Sequence, residues 1–283
     1  MDLPFELDLK GKTIVITGGG GVLCGMFARA LAKTRASIAV LDLSKEAADK
    51  VAEDITACGG IAKGYTANVL DSKIMSDVHD KIKADFGSCD ILINGAGGNN
   101  PKGTTTKEYY ETGDIDRDDL VSFFGLDPSG IEFVFNLNFL GTLIPTQTFA
   151  RDMLENGGGT IVNISSMNAF CPLTKIPAYS GAKAAVSNFT KWLAVHFSKS
   201  NIRVNAIAPG FFVTKQNKAL LFDENGNPTP RTEKILSATP MGRFGEAEEL
   251  IGTLLWLVNE KASSFVTGTV IPVDGGFSAY SGV

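Results

Sequence analysis

The sequence predicts an α/β fold, a Rossmann-type doubly wound parallel sheet of about seven strands with helices on both faces, in a single domain over residues 1–283. Three observations predict it. Short β-branched runs without polar alternation recur along the chain and alternate with helical patterns, as parallel strands buried on both faces and joined by crossover helices must. Several of these runs end in a glycine, an acid or an amide, at the carboxyl ends where such sheets bind ligands. No repeat, linker or low-complexity tract divides the 283 residues.

The elements follow in order. Lys12 to Thr17 is a buried-strand pattern that runs into Gly18-Gly19-Gly20-Gly21 and the helical stretch Val22 to Leu31. Strand, glycine turn and helix begin a phosphate-binding βα unit, in which bare backbone N–H groups and a helix N-terminus meet a pyrophosphate. Ser37 to Asp42 is a second strand, and its closing acid can accept from the ribose diol of an adenosine while repelling a 2′-phosphate. Asp42 could equally cap the helix that begins near Lys45. Gly60 to Val69 reads as a strand, Asp71 to Phe86 as a helix, and Cys89 to Asn94 as a strand ending in Gly95-Ala96-Gly97-Gly98. Gly18, Asp42, Asn68 and Asn94 all fall at strand ends, so one ligand could touch all four.

Residues 98–130 break this rhythm as an insertion rich in Thr, Asp and Gly, either a functional lid or a surface excursion. A long helix is predicted from Ser129 to Glu155, carrying Asn138 inward, where the amide must be satisfied and either serves packing or positions a water. Thr160 to Ile164 delivers Ser165-Ser166 at a carboxyl end, and Pro177 to Ser200 is a long helix bearing Tyr179 and Lys183. Ile202 to Ala208 is a strand closed by Pro209-Gly210. Residues 211–240 are polar and irregular, a cover over the substrate. A helix from Ala247 to Asn259 and a strand from Val266 to Val273 complete the chain before Asp274-Gly275-Gly276.

Composition narrows the function. Apolar residues make up 44% and charged residues 20%, enough to bury a substantial core. The net charge of −5, with no basic cluster, argues against nucleic acid. No apolar run is long enough for a membrane span, and the acidic start of the chain lacks the basic region of a signal peptide. The four scattered cysteines read as reduced thiols of a cytoplasmic protein, and with two histidines no metal site is expected.

Tyr179 and Lys183 are four apart, so both side chains leave the same face of their helix. A free tyrosine titrates near ~10, and a nearby ammonium would favour its phenolate. Ser166, thirteen residues before Tyr179, could hold a substrate oxygen facing the same point.

Together these residues resemble the short-chain dehydrogenase/reductase family over roughly Leu9 to Phe277. The resemblance rests on Thr17-Gly18 with its glycine loop, Asn94-Gly95-Ala96-Gly97, Asn138 before Gly141, Ser166, Tyr179-x-x-x-Lys183, Pro209-Gly210 with Thr214, and the final Asp-Gly-Gly. It implies that Tyr179 is the general acid/base, that Lys183 lowers its pKa and binds the nicotinamide ribose, that Ser166 holds the substrate oxygen, and that Asn138 supports a relay water. It implies a cofactor site of Gly18, Gly21, Leu23, Asp42, Asn68, Val69, Asn94, Ala96, Gly97, Tyr179, Lys183, Pro209, Gly210 and Thr214, with NAD expected over NADP. One departure stands out: Val22 and Cys24 occupy places where the family's glycine motif has its second and third glycines.

The glycine loop, the Asn99-Asn100-Pro101 excursion and the segment from Leu220 to Pro230 are similar to those of one subgroup of that family, the D-mannonate oxidoreductases (fructuronate reductases). That similarity implies a sugar-acid substrate, with Ser166, Asn168, Tyr179, Asn99, Asn100 and Lys102 as the expected contacts and Lys215 and Arg231 as further donors to a carboxylate. Another polyol, gluconate or acyl-carrier substrate, and a non-catalytic dinucleotide sensor, stand as alternatives. The family resemblance also implies a homotetramer.

Overall fold

The computed structural model describes residues 6–213, 221–224 and 226–282. Its strands are β1 (Thr13–Thr17), β2 (Ser37–Asp42), β3 (Ile61–Thr66), β4 (Ile91–Asn94), β5 (Gly159–Ile164), β6 (Ile202–Pro209) and β7 (Val270–Val273). They form one parallel sheet in the order β3-β2-β1-β4-β5-β6-β7. Strand order reverses between β1 and β4, which opens a crevice at their carboxyl ends. Thr17 pairs there with Asn94, and Asn94 with Asn163.

Both faces are covered because successive strand residues point opposite ways. Ile14, Ile16, Val40 and Ile93 pack one way, against Phe27 and Leu31 of helix α1 (Val22–Ala32), Val51 and Ile55 of α2 (Lys45–Ala57) and, further along the chain, Leu254 and Leu257. Val15, Leu41 and Leu92 pack the other way, against Met75 and Ile82 of α3 (Ser72–Phe86) and, beyond it in the chain, Phe149 and Leu193. Apolar surface on two faces is why these strands are uniformly hydrophobic rather than alternating.

Several elements differ from the sequence expectation, and β3, expected to reach Val69, ends at Thr66, which leaves Asn68 and Val69 in the turn that follows. The long helix is α4 (Pro128–Phe135), a π turn over Asn136–Leu140, and α5 (Gly141–Glu155). The Asn138 side-chain amide donates to the Val134 carbonyl at 2.7 Å, the acceptor its own backbone N–H would use in a regular helix. The ladder widens by one residue there, and the Gly141 amide reaches back five residues to Asn136. Helix α6 (Pro177–His196) ends before Ser200, and β7 starts at Val270 rather than Val266. The cover contributes α7 (Pro230–Ser237); the helix expected from Ala247 starts as a tight 3₁₀ turn, continues as α8 (Ile251–Val258) and is followed by α9 (Glu260–Ser263). Residues 98–130 hold three short 3₁₀ turns. Among the described residues, no helix is long and apolar enough to cross a membrane, and no group of metal-ligating side chains occurs. All four cysteines are free thiols.

Candidate active site

The side chains that converge are set by β5 and α6. Ser165 and Ser166 follow β5, and extended backbone turns them to different partners. Ser165 bonds the Lys183 carbonyl at 3.2 Å and the Ser187 hydroxyl at 2.6 Å, which ties it to the body of α6. Ser166 is 7% exposed, accepts from the Asn168 amide at 3.2 Å and lies close enough to the Tyr179 phenol to pull its pKa down. The serine thirteen residues before the tyrosine is therefore the one that meets it. Tyr179 is seated by α4–α6 packing, in the cluster of Val134, Ala178 and Ala182.

Lys183 is buried, donates to the Ile164 carbonyl at 2.8 Å, and stands 5.6 Å from the Tyr179 ring centroid. Burial drops its pKa to about 8. Burial raises the Tyr179 phenol, an effect only partly opposed by Ser166. The expected lowering of Tyr179 by Lys183 is not seen in this arrangement, because the ammonium is turned to Ile164 and lies over the ring, away from direct contact with the hydroxyl.

Asn138 is fully buried. Its amide nitrogen donates to the carbonyls of Gly98 (2.8 Å) and Val134 (2.7 Å), and its oxygen accepts from the Gly98 amide at 3.3 Å. A Cβ on Gly97 would fall 2.6 Å from that oxygen and 3.1 Å from Lys183 Nζ. Asn138 thus clamps the strand-β4 turn beside Lys183, and glycine at 97 makes the approach possible.

The crevice beside these groups has the shape of a dinucleotide cradle. Gly18 has φ +64°, and a Cβ on it would lie 3.0 Å from the Ala96 backbone. Gly21 caps α1, and the first intrahelical bond runs from Gly25 to Gly21 at 2.8 Å. The amides of Val22, Leu23 and Cys24 precede it and have no i−4 carbonyl to bond, as an anion site needs. Asp42 accepts from the Gly20 amide and the Ser44 amide, each at 3.0 Å. The capping role falls to Ser44, whose hydroxyl accepts from Ala47, so Asp42 braces the glycine turn with carboxylate lone pairs to spare. Asn68 turns its side-chain oxygen to the Leu70 amide, and Val69 packs beside Gly141. At the far side of the crevice Pro209 ends β6, and Gly210, whose Cβ would lie 2.6 Å from the Asp274 Cα, donates to Val273. Thr214 and Lys215 lie outside the described residues. These features fit a dinucleotide.

Of the expected substrate contacts, Asn168 is buried at the Ser166 turn. Asn99 donates to Thr104 at 3.1 Å, Asn100 accepts from the Lys102 amide at 2.9 Å, and Lys102 pairs with Asp127 at 3.5 Å, so these three brace their own segment. Sequence reasoning missed the polar ladder beneath the site. Thr17 accepts from the amides of Gly95 and Ala96, Asn94 donates to Thr146 and Asn163, and Asn163 donates to Thr190. The available signal was polar residues inside otherwise apolar strands. It also missed that Cys24 sits against Gly95, where a Cβ would lie only 2.1 Å from the sulfur. Burial pushes that thiol up to about 12, which leaves it unreactive.

Residues 12–225 match the model of the short chain dehydrogenase family. An uncharacterized oxidoreductase of Haemophilus influenzae is 63% identical over 284 residues, covering 100% of this chain and 99% of that one. The 2-dehydro-3-deoxy-D-gluconate 5-dehydrogenase of Dickeya dadantii is 34% identical, covering 96% and 97%. Among solved structures, a candidate D-mannonate oxidoreductase from Haemophilus influenza with bound NAD superposes with a TM-score of 0.95 at 64% identity, covering 98% of each chain.

Proposed function

This chain belongs to the short-chain dehydrogenase family, and from that premise we propose that it is an NAD(H)-dependent oxidoreductase interconverting a secondary alcohol and a ketone on a sugar acid, with D-mannonate and D-fructuronate as the pair. The observation that carries the chemistry is the meeting of Ser166, Tyr179 and Lys183 beside Gly97. The names of two relatives, a candidate D-mannonate oxidoreductase with NAD and a gluconate-derivative dehydrogenase, support the substrate class.

In this reading the first-turn amides of α1, Gly18 and Gly21 hold the pyrophosphate, Asp42 holds the adenosine ribose, and Lys183 faces the nicotinamide ribose. The bound nicotinamide supplies the hydride acceptor or donor. Tyr179 takes the proton from the carbinol oxygen in oxidation and returns it in reduction. Ser166, next to the Tyr179 phenol, holds the same oxygen so that the proton moves along a set direction. Lys183 stands 5.6 Å from the Tyr179 ring centroid without lowering its phenol in this arrangement, so its part in this reading is to bind the nicotinamide ribose. Both hydrogens of the Asn138 amide are used by backbone carbonyls, so its contribution is to fix Gly97 and Gly98 against Lys183. The same family reading extends to a homotetramer, supported by exposed Phe133, Trp192 and Val195 on the long helices.

A panel of hexonates and keto-acids, including D-mannonate and 2-dehydro-3-deoxy-D-gluconate, followed by NADH absorbance with either cofactor, tests the assignment. Turnover of D-mannonate with NAD is expected, and Tyr179→Phe should lose turnover while still binding NADH. Full activity in Tyr179→Phe would sink the mechanism.

A further inference from the structure

The insertion and the cover helix, two segments the sheet does not require, meet at an ion pair, Lys234 Nζ to a Glu108 carboxylate oxygen at 2.9 Å. The insertion also grips the entry to α6. The Thr105 amide donates to the Lys175 carbonyl at 2.9 Å, and a Cβ on Gly103 would touch Ala178, the neighbour of Tyr179, at 3.5 Å. Glu108 therefore stands between the cover and the helix that carries Tyr179.

One cation contacts this acid and two more lie in its field. Lys234 contacts it, and the charges of Lys175 and Arg231 add to the pull that holds its carboxyl below the ordinary range. One carboxylate cannot neutralise three cations. Among the described residues, neither Lys175 nor Arg231 has an ion-pair partner within contact distance. Lys175 is half-buried, and its backbone is left-handed at φ +71°, a conformation that residues bearing a Cβ seldom hold unless their surroundings impose it. The Thr105 bond to its carbonyl is one such constraint. A half-buried lysine without an ion-pair partner, just ahead of the helix that carries Tyr179, together with the exposed Arg231, which also lacks one, leaves two positive charges for an incoming anion.

We propose that Lys175 and Arg231 bind the carboxylate of the substrate, with Glu108 as the positioning residue that ties the cover to α6 through Lys234. The proposal rests on the sugar-acid reading above and adds the residues that recognise the acid. A hexonate places its carboxylate a few carbon–carbon bonds from the carbinol. With the carbinol oxygen at Tyr179 and Ser166, the acid end would lie toward the helix entry, where the guanidinium can bind it through two parallel N–H bonds and the ammonium as a point charge.

The test compares the acid with its methyl ester, for wild type, Lys175→Gly, Arg231→Ala and Lys175→Arg. Glycine suits φ +71°, so Lys175→Gly removes the charge without straining the fold. Each charge removal should raise KM for the acid by about tenfold to a hundredfold, the usual worth of a charge-assisted hydrogen bond. The ester KM, kcat and NADH affinity should hold, and Lys175→Arg should restore the acid KM. Wild type favouring the acid while both charge-removal variants keep that preference would overturn the assignment alone. Wild type showing no preference for acid over ester would instead refute the sugar-acid reading itself.

Discussion

Lys183→Met should make the protein more stable near neutral pH and inactive, and the size of the gain should depend on pH in a calculable way. The Lys183 side chain is 5% exposed as a residue and its pKa falls from an ordinary 10.5 to about 8 through burial. At about 1.36 kcal/mol per pH unit, carrying the charge inside costs the folded state about 3 kcal/mol. The unfolded chain binds the proton more tightly, so between pH 8 and 10.5 it holds more protons than the native chain and stability rises with pH. Below pH 8 the penalty is fully present; above 10.5 it is gone. The hydrogen bond to the Ile164 carbonyl is lost in Lys183→Met at every pH, because a neutral lysine also donates it. That loss offsets part of the gain but adds no slope. Urea unfolding of wild type and Lys183→Met at pH 7, 8, 9 and 10 gives the difference directly, with titrations common to both proteins cancelling. The variant's advantage should shrink by roughly 2–3 kcal/mol across that range. A difference that stays flat would refute the buried, depressed lysine and, with it, the claim that the site holds this charge at a cost to the fold.

Two further outcomes follow from the cofactor cradle. Gly95→Ala should destabilise by roughly 1–3 kcal/mol, as overpacking does, because its Cβ would meet the Cys24 sulfur at 2.1 Å; Cys24→Ala in the same protein should recover part of that loss, whereas strictly additive urea midpoints would rule out the contact. Asp42→Ala should raise KM for NAD and cut the preference for NAD over NADP by at least about tenfold, since an acceptor for the ribose diol and a repulsive charge disappear together; unchanged discrimination in initial-rate assays would remove Asp42 from cofactor selection.

These cases mark where the sequence was readable. The seven strands were legible because burial on both faces leaves uninterrupted β-branched runs, and their polar endings located the crevice before any coordinates. Spacing to Tyr179 picked Ser166 over Ser165 in the sequence, and in the structure Ser165 is spent on α6. Where the sequence fell short, the cause was a contact between elements remote along the polypeptide. The π turn arises because Asn138 trades a backbone bond for a side-chain one while holding Gly98, forty residues away. The glycine motif looked broken at Cys24, yet α1 can pack a sulfur there because β4 is followed by Gly95, which supplies no side chain to oppose it. A larger residue on one element is matched by the absence of one on the other. The apparent fault in the phosphate loop is therefore half of a steric pair, and the α1 N-terminus keeps its approach to the crevice despite the lost glycine.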